Sequence, residues 1–206
     1  QWTAAMISRL LVVRLLASTA LFTPSRGLAS MASGSHTASY NEQILQQAGY
    51  QEGDRLILYD GVCNLCNGWV DFVMKRDREG LYKFASLQGA VGKTLMKRVG
   101  RDPDDLSTLI VLEPMDIIAS QPDLGRLSSR KELVVYDRSD AVLRVVEQVG
   151  GGALRQMARW ARWVVPRWLR NFVYSRIVAP NRYLVFGKQE TCRRVLPHEK
   201  NRFLDV

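Results

Sequence analysis

The pattern of apolar and polar positions changes character near residue 54. From there Leu56-Ile57-Leu58-Tyr59 is a short apolar run with the length and β-propensity of a buried strand, stopped by the breaker pair Asp60-Gly61. Trp69, Val70, Phe72 and Val73 then recur at helical spacing, with Asp71, Lys75 and Arg76 on the other side and Gly80 after them. Tyr82-Lys83-Phe84-Ala85 alternates as a second strand, parallel to the first through a right-handed crossover. Val91, Leu95 and Val99 line one face of a short helix whose other face carries Lys93, Lys97 and Arg98. Leu109-Ile110-Val111-Leu112 is the third strand, and Leu133-Val134-Val135-Tyr136 its antiparallel neighbour. Ser139 is placed to cap a helix over residues 141–147, closed by Gly150-Gly151-Gly152.

Between the third and fourth strands, residues 113–132 form a long connection with two Pro and several Ser, expected to be a surface loop, with a docking loop as the sharper alternative. Beyond the glycines, residues 153–165 hold Leu154, Met157, Trp160, Ala161 and Val164 at helical spacing, among Arg155, Arg159 and Arg162. Pro166 suits the first position of a second helix running to about Ile177.

The first turn of the helix after Asp60-Gly61 holds Cys63 and Cys66. A Cys at a helix start sits among backbone N–H groups that lack acceptors, beside the positive end of the helix dipole, and both favour thiolate over thiol. Cys66, three residues on, shares the helical face. The pair therefore reads as a redox dithiol, Cys63 attacking and Cys66 resolving. The spacing also suits half a zinc site, and two inert buried thiols are the third reading. Asp60 is either a proton acceptor for Cys66 or a turn-former and cap.

Tyr59-Asp60-Gly61-Val62-Cys63-Asn64-Leu65-Cys66-Asn67 resembles the signature of the DCC family of thiol-disulfide oxidoreductases, named for the Asp, Cys and Cys at 60, 63 and 66. The likeness continues through Lys75-Arg76-Asp77, Phe84-Ala85-Ser86-Leu87-Gln88 and Arg138-Ser139-Asp140-Ala141. It ends with Asn181-Arg182-Tyr183, Phe186-Gly187, Cys192 and Arg202-Phe203-Leu204. These pieces lie in family order across about 150 residues. The resemblance implies a thioredoxin-like fold, which the strand–helix–strand then hairpin–helix order also suggests. It departs from thioredoxin in one respect. Leu106-Ser107-Thr108 stands where a cis-proline usually packs against the dithiol.

The sequence reading is therefore an α/β, thioredoxin-like domain over residues 54–206, with an extra basic helical segment at 153–206. Because the resembled family usually joins the third and fourth strands by a tight hairpin, the resemblance makes residues 113–132 a loop insertion. Asp60, Cys63 and Cys66 are its catalytic candidates; Asn67, Arg182 and Tyr183 are expected to support the site. Arg182 has either Asp60 or Asp77 as its partner. The expected partners are a disulfide-bearing protein or small-thiol substrate and an external electron donor, with no cofactor. Cys63, Cys66, Cys192 and His198 make up the alternative zinc set. No dinucleotide fingerprint or P-loop is present, since Gly89-Ala90-Val91-Gly92-Lys93-Thr94 lacks the spacer between its glycines.

Charge adds two expectations. The net charge of +9 resides wholly in residues 151–206, where twelve Lys and Arg face three Asp and Glu. There the aromatics are read first as closing the core while arginines snorkel to water. An anionic membrane or partner surface comes next, and nucleic acid last. Residues 1–30 lack acidic side chains and carry Arg9, Arg14 and Arg26, the composition of a transit peptide. The mitochondrion is favoured over a plastid, and a secretory route comes last; residues 31–53 read as a polar lead-in. The rival function is a structural or interaction subunit of a larger organellar assembly, membrane or ribonucleoprotein, with a vestigial or zinc-binding dithiol.

Overall fold

The computed structural model describes residues 33–115 and 133–204. The proposed transit peptide and most of the 113–132 insertion lie outside these residues. The body formed by residues 37–206 is built on a four-stranded sheet. Strand β1 (Arg55–Tyr59) runs parallel to β2 (Tyr82–Ser86), with Arg55 opposite Tyr82 and Tyr59 opposite Ser86. On its other side β1 pairs antiparallel with β3 (Ile110–Pro114), which pairs antiparallel with β4 (Leu133–Asp137). The order β2-β1-β3-β4 is that of a thioredoxin-like fold.

Alternation along the strands divides the core between the two faces. Leu56, Leu58, Ile110 and Leu112 point to one face, where α3 (Ala90–Arg98) covers them with Val91, Leu95 and Met96. Ile57, Tyr59, Phe84 and Val111 point to the other, against Val70 and Val73 of α2 (Asn64–Arg76) and Ala141 and Val145 of α4 (Arg138–Val149). Strand β1 is buried on both faces, which explains its almost unbroken apolar sequence, while the edge strand β2 carries the half-buried Lys83 between Tyr82 and Phe84.

Several details differ from the sequence reading. Residues read as a polar lead-in include α1 (Ser33–Gln47), whose Leu45 joins the first core cluster together with Tyr50. Strand β3 extends through Glu113 and Pro114, read from sequence as the start of the insertion. Glu113 is buried but satisfied: it pairs with Arg144 at 2.8 Å and accepts from the Tyr82 hydroxyl at 2.9 Å. Ser139 does not cap α4. Helix α4 begins one residue earlier, and the Ser139 hydroxyl donates to Asn171 Oδ1 at 2.6 Å.

The C-terminal helices follow in order: α5 (Gly152–Val164), α6 (Arg167–Val173), a π-helical segment (Tyr174–Val178) and α7 (Ala179–Phe186). Arg170 fastens this arm to α4 by reaching Asp140 at 2.7 Å and the Ser139 hydroxyl at 3.3 Å, and within the arm its Nε donates to the Val165 carbonyl at 3.0 Å. Core closure by its aromatics is overturned. Trp160, Trp163 and Trp168 are 67%, 85% and 71% exposed. Residues 203 and 204 return to the sheet, where Phe203 stacks on Phe84 and Leu204 N–H donates to the Phe84 carbonyl at 2.9 Å.

Candidate active site

The dithiol lies where β1 gives way to α2. Asp60 starts the turn: its carbonyl accepts from Cys63 N–H at 3.2 Å, and its Oδ1 accepts from Val62 N–H at 3.2 Å. Cys63 is the N-cap of α2, in an extended conformation, and its sulfur accepts from Cys66 N–H at 3.5 Å. A sulfur thus occupies the position of a capping oxygen, satisfying one of the otherwise unpaired N–H groups of the helix start. Both cysteines are free thiols. Burial pushes the Cys66 pKa far up, the hydrogen bond to Cys63 adds to this, and the charges of Cys63 and Asp60 act in the same direction against Arg182. Cys66 consequently holds its proton, available for donation to Cys63.

Asp60 is 2% exposed. Gln88 Nε2 donates to Oδ1 at 2.6 Å; Arg182 Nη2 donates to Oδ2 at 3.1 Å, and the Tyr183 hydroxyl makes a short hydrogen bond to the same oxygen. Arg182, itself buried, also donates to the Leu106 carbonyl at 2.8 Å, the Ser107 carbonyl at 2.9 Å and the Tyr183 hydroxyl at 2.9 Å. Burial opposes the Arg182 charge, but Tyr183 and Asp60 outweigh it and raise its pKa. Tyr183 in turn is raised by burial first and by its bond to Asp60 second. The other candidate partner of Arg182, Asp77, is taken: it accepts from Leu81 and Tyr82 N–H, each at 2.9 Å, and pairs with Arg202.

A guanidinium therefore organises the loop where thioredoxins place a cis-proline. No peptide bond is cis among the described residues. Asn67 supports the turn from α2, donating from Nδ2 to the Gly61 carbonyl at 3.0 Å.

A DCC1-like thiol-disulfide oxidoreductase family model matches residues 57–188, from the middle of β1 to just past α7. The chain belongs to this family. It is 36% identical over 155 residues to a Bacillus subtilis protein, "Uncharacterized protein YuxK", covering 73% of this chain and 94% of that one. It is 35% identical over 151 residues to "DCC family protein At1g52590, chloroplastic" of Arabidopsis thaliana, covering 72% and 76%. No solved structure matches significantly. Membership of the DCC1-like family supports a general thiol-disulfide redox role.

Three features of this DCC1-like site were not read from the sequence. Gln88 bridges Asp60 to the backbone of the turn, accepting from Gly61 N–H at 3.0 Å and the Ser86 hydroxyl at 2.6 Å. Its only signal was its place in the Phe84–Gln88 stretch of the family pattern. The second feature is a strap over the dithiol turn. Lys188 bridges Cys63, Gln189 N–H donates to the Val62 carbonyl at 2.8 Å, and Arg193 N–H donates to the Gly61 carbonyl at 3.1 Å. Asn64 anchors its start, donating from Nδ2 to the Phe186 carbonyl at 2.8 Å, and Gly187 turns there at φ +82°. The third is the burial of the first thiol: Cys63 is 0% exposed, while Cys66 is half-buried.

The alternative zinc set is not assembled. Among the described residues no three His, Cys, Asp or Glu side chains converge to hold a metal. Cys192 faces Ser86, 3.8 Å away, and a small cleft of 210 Å³ lined also by Tyr59, Gln88 and Phe203, while His198 is exposed.

Proposed function

We propose that the protein exchanges disulfides with a protein or small-thiol substrate through Cys63 and Cys66. Cys63 Sγ, as thiolate, attacks one sulfur of the substrate disulfide. A Cys63–substrate mixed disulfide forms and the other substrate sulfur leaves as thiolate, taking up a proton. Cys66 then loses its proton and attacks Cys63 Sγ, closing the Cys63–Cys66 disulfide and releasing the second substrate thiol. Two electrons have passed from the dithiol to the substrate, and an external thiol donor returns them.

The observation that carries this reading is the sulfur of Cys63 capping α2 within 3.5 Å of Cys66 N–H. Asp60 contacts substrate in no part of this scheme. It is a positioning residue, holding the turn and, through its charge, the proton on Cys66. Reduction of insulin or of a glutathione mixed disulfide by wild type, Cys63→Ser and Cys66→Ser tests the scheme. Turnover is expected in wild type and lost in both variants, with Cys66→Ser trapping the mixed disulfide. A wild type without turnover in either assay, recovered in a large complex, favours the interaction-subunit reading instead.

We also propose an organellar location. The acid-poor, Arg-bearing composition of residues 1–30 supports it, and the name of the Arabidopsis relative supports a plastid. The mitochondrial alternative rests on composition alone. Import of the full chain into isolated chloroplasts and mitochondria separates the two.

A further inference from the structure

Helix α5 is divided into three sectors by what its side chains meet. Taking 100° per residue, Leu154, Ala158 and Ala161 share the inward sector, Ala158 buried and the other two half-buried. Arg155, Arg159 and Arg162 occupy the next sector. The third and widest holds Met157, Trp160, Trp163 and Val164, all exposed, with the two indoles edge to face at 6.4 Å. A helix that closes a core buries its large apolar sector. This one buries its small residues and presents the large ones to solvent.

The same arrangement continues past Pro166. Trp168 and Phe172 of α6 and Leu184 of α7 are 71%, 56% and 85% exposed. Indole rings each offer roughly 150–250 Å² of burial, so the contacting Trp160–Trp163 pair alone approaches the size of the largest apolar patch a soluble monomer normally shows. Residues 152–186 contain seven Arg and neither Asp nor Glu. Arg162, Arg167, Arg170 and Arg182 pair with carboxylates of the domain, and Arg155, Arg159 and Arg176 are exposed. No helix among the described residues is long and apolar enough to cross a membrane.

We propose that α5 and the α6–α7 arm lie in the plane of an anionic lipid surface. The Trp-rich sector enters the boundary between headgroups and acyl chains, and Arg155, Arg159 and Arg176 meet the lipid phosphates. An apolar sector bordered by arginines, without a single carboxylate, is the pattern of an in-plane interfacial helix. RNA would engage the rings by stacking but leaves Met157, Val164 and Leu184 without a role. Because Asn64, next to Cys63, holds the Phe186 carbonyl at the end of α7, adsorption sets the dithiol turn beside the membrane surface. The docking does not depend on the redox reading.

Co-sedimentation of the full chain with phosphatidylcholine vesicles, with and without phosphatidylglycerol, tests this. Wild type is expected to bind the vesicles containing phosphatidylglycerol, weakly or not at all the neutral ones, and to be released by high salt. The triple variants Trp160→Ser/Trp163→Ser/Trp168→Ser and Arg155→Gln/Arg159→Gln/Arg176→Gln are each expected to bind at least about tenfold more weakly. Circular dichroism and an unchanged melting temperature verify the fold of each variant, whose altered side chains are exposed. Residues 1–30 are present in every protein compared, so the differences report the helices. Binding by the variants equal to wild type overturns the proposal. So does a wild type that ignores both vesicles, whether it then self-associates or binds an RNA oligonucleotide through the same tryptophans.

Discussion

Arg182 Nη2 lies 3.1 Å from Asp60 Oδ2, joining the turn before the dithiol to a helix 122 residues later in the chain. Both groups are almost completely buried. The same guanidinium holds the Leu106 and Ser107 carbonyls, so one side chain fixes three segments that converge on the site.

Removing one member of this pair leaves the other charged and buried without its partner. Arg182→Met and Asp60→Asn are each expected to cost about 3–5 kcal/mol of folding stability in urea titrations. Arg182→Lys does not restore it, because an ammonium cannot span the fork of acceptors. The double variant is expected to cost less than the sum of the two, since it leaves no orphaned charge. Additive losses would mean that the two residues act independently.

Alkaline pH should loosen the fold. Burial and its bond to Cys63 raise Cys66 from an ordinary 9.0, and burial, then the adjacent Glu113, raise Tyr82 from 10.0. Each holds its proton more tightly folded than unfolded. Their stabilisation is therefore complete below these ordinary values and falls as pH rises through 9 and 10 towards the raised folded values. The decline is expected to reach up to about 1.4 kcal/mol per pH unit per group. Tyr82→Phe should flatten the upper part of the curve and Cys66→Ser the lower. A stability that stays level from pH 8 to pH 11, by roughly constant urea midpoints, contradicts the burial of both protons.

The strap from Gly187 to Arg193 pairs with the backbone of the turn that carries the sulfur proposed to attack. Asn64→Ala removes the bond to the Phe186 carbonyl, worth about 0.5–1.5 kcal/mol. In a Cys66→Ser background, iodoacetamide labelling of Cys63, read by peptide mass spectrometry, is expected to accelerate roughly two- to tenfold. An unchanged rate would show that this anchor does not limit access.

A side chain at Gly61 would crowd two neighbouring side chains. A Cβ there comes 3.0 Å from Cys192 Sγ and from Ser86 Oγ. Gly61→Ala is expected to destabilise by about 1–3 kcal/mol, and adding Cys192→Ala to return part of that loss. Full stability in Gly61→Ala alone would place Cys192 elsewhere in solution.

The order of strands and helices was legible because both faces of β1 are buried, so its apolar run stands out, because β2 alternates, and because α2, α3 and α4 each turn one apolar face inward. Cys63 and Cys66 were legible because their chemistry depends on three-residue spacing at a helix start, which is local. Other features had no local mark. Asp60 reads as either a proton acceptor or a turn residue until Arg182, Tyr183 and Gln88 close around it. Glu113 reads as a loop residue until Arg144 and Tyr82 neutralise its burial.

The C-terminal arm shows the limit most clearly. A periodic apolar stripe establishes that α5 has an apolar side, but not whether that side meets the sheet or the solvent. That depends on the small residues Ala158 and Ala161 lying against the domain while Trp160 and Trp163 face away. Periodicity is a property of one helix, whereas burial is a property of what the rest of the chain brings to it. The sequence by itself thus determined the α/β order and the dithiol. Only the tertiary structure decided the partner of Asp60, the covering of Cys63 and the direction in which the tryptophans face.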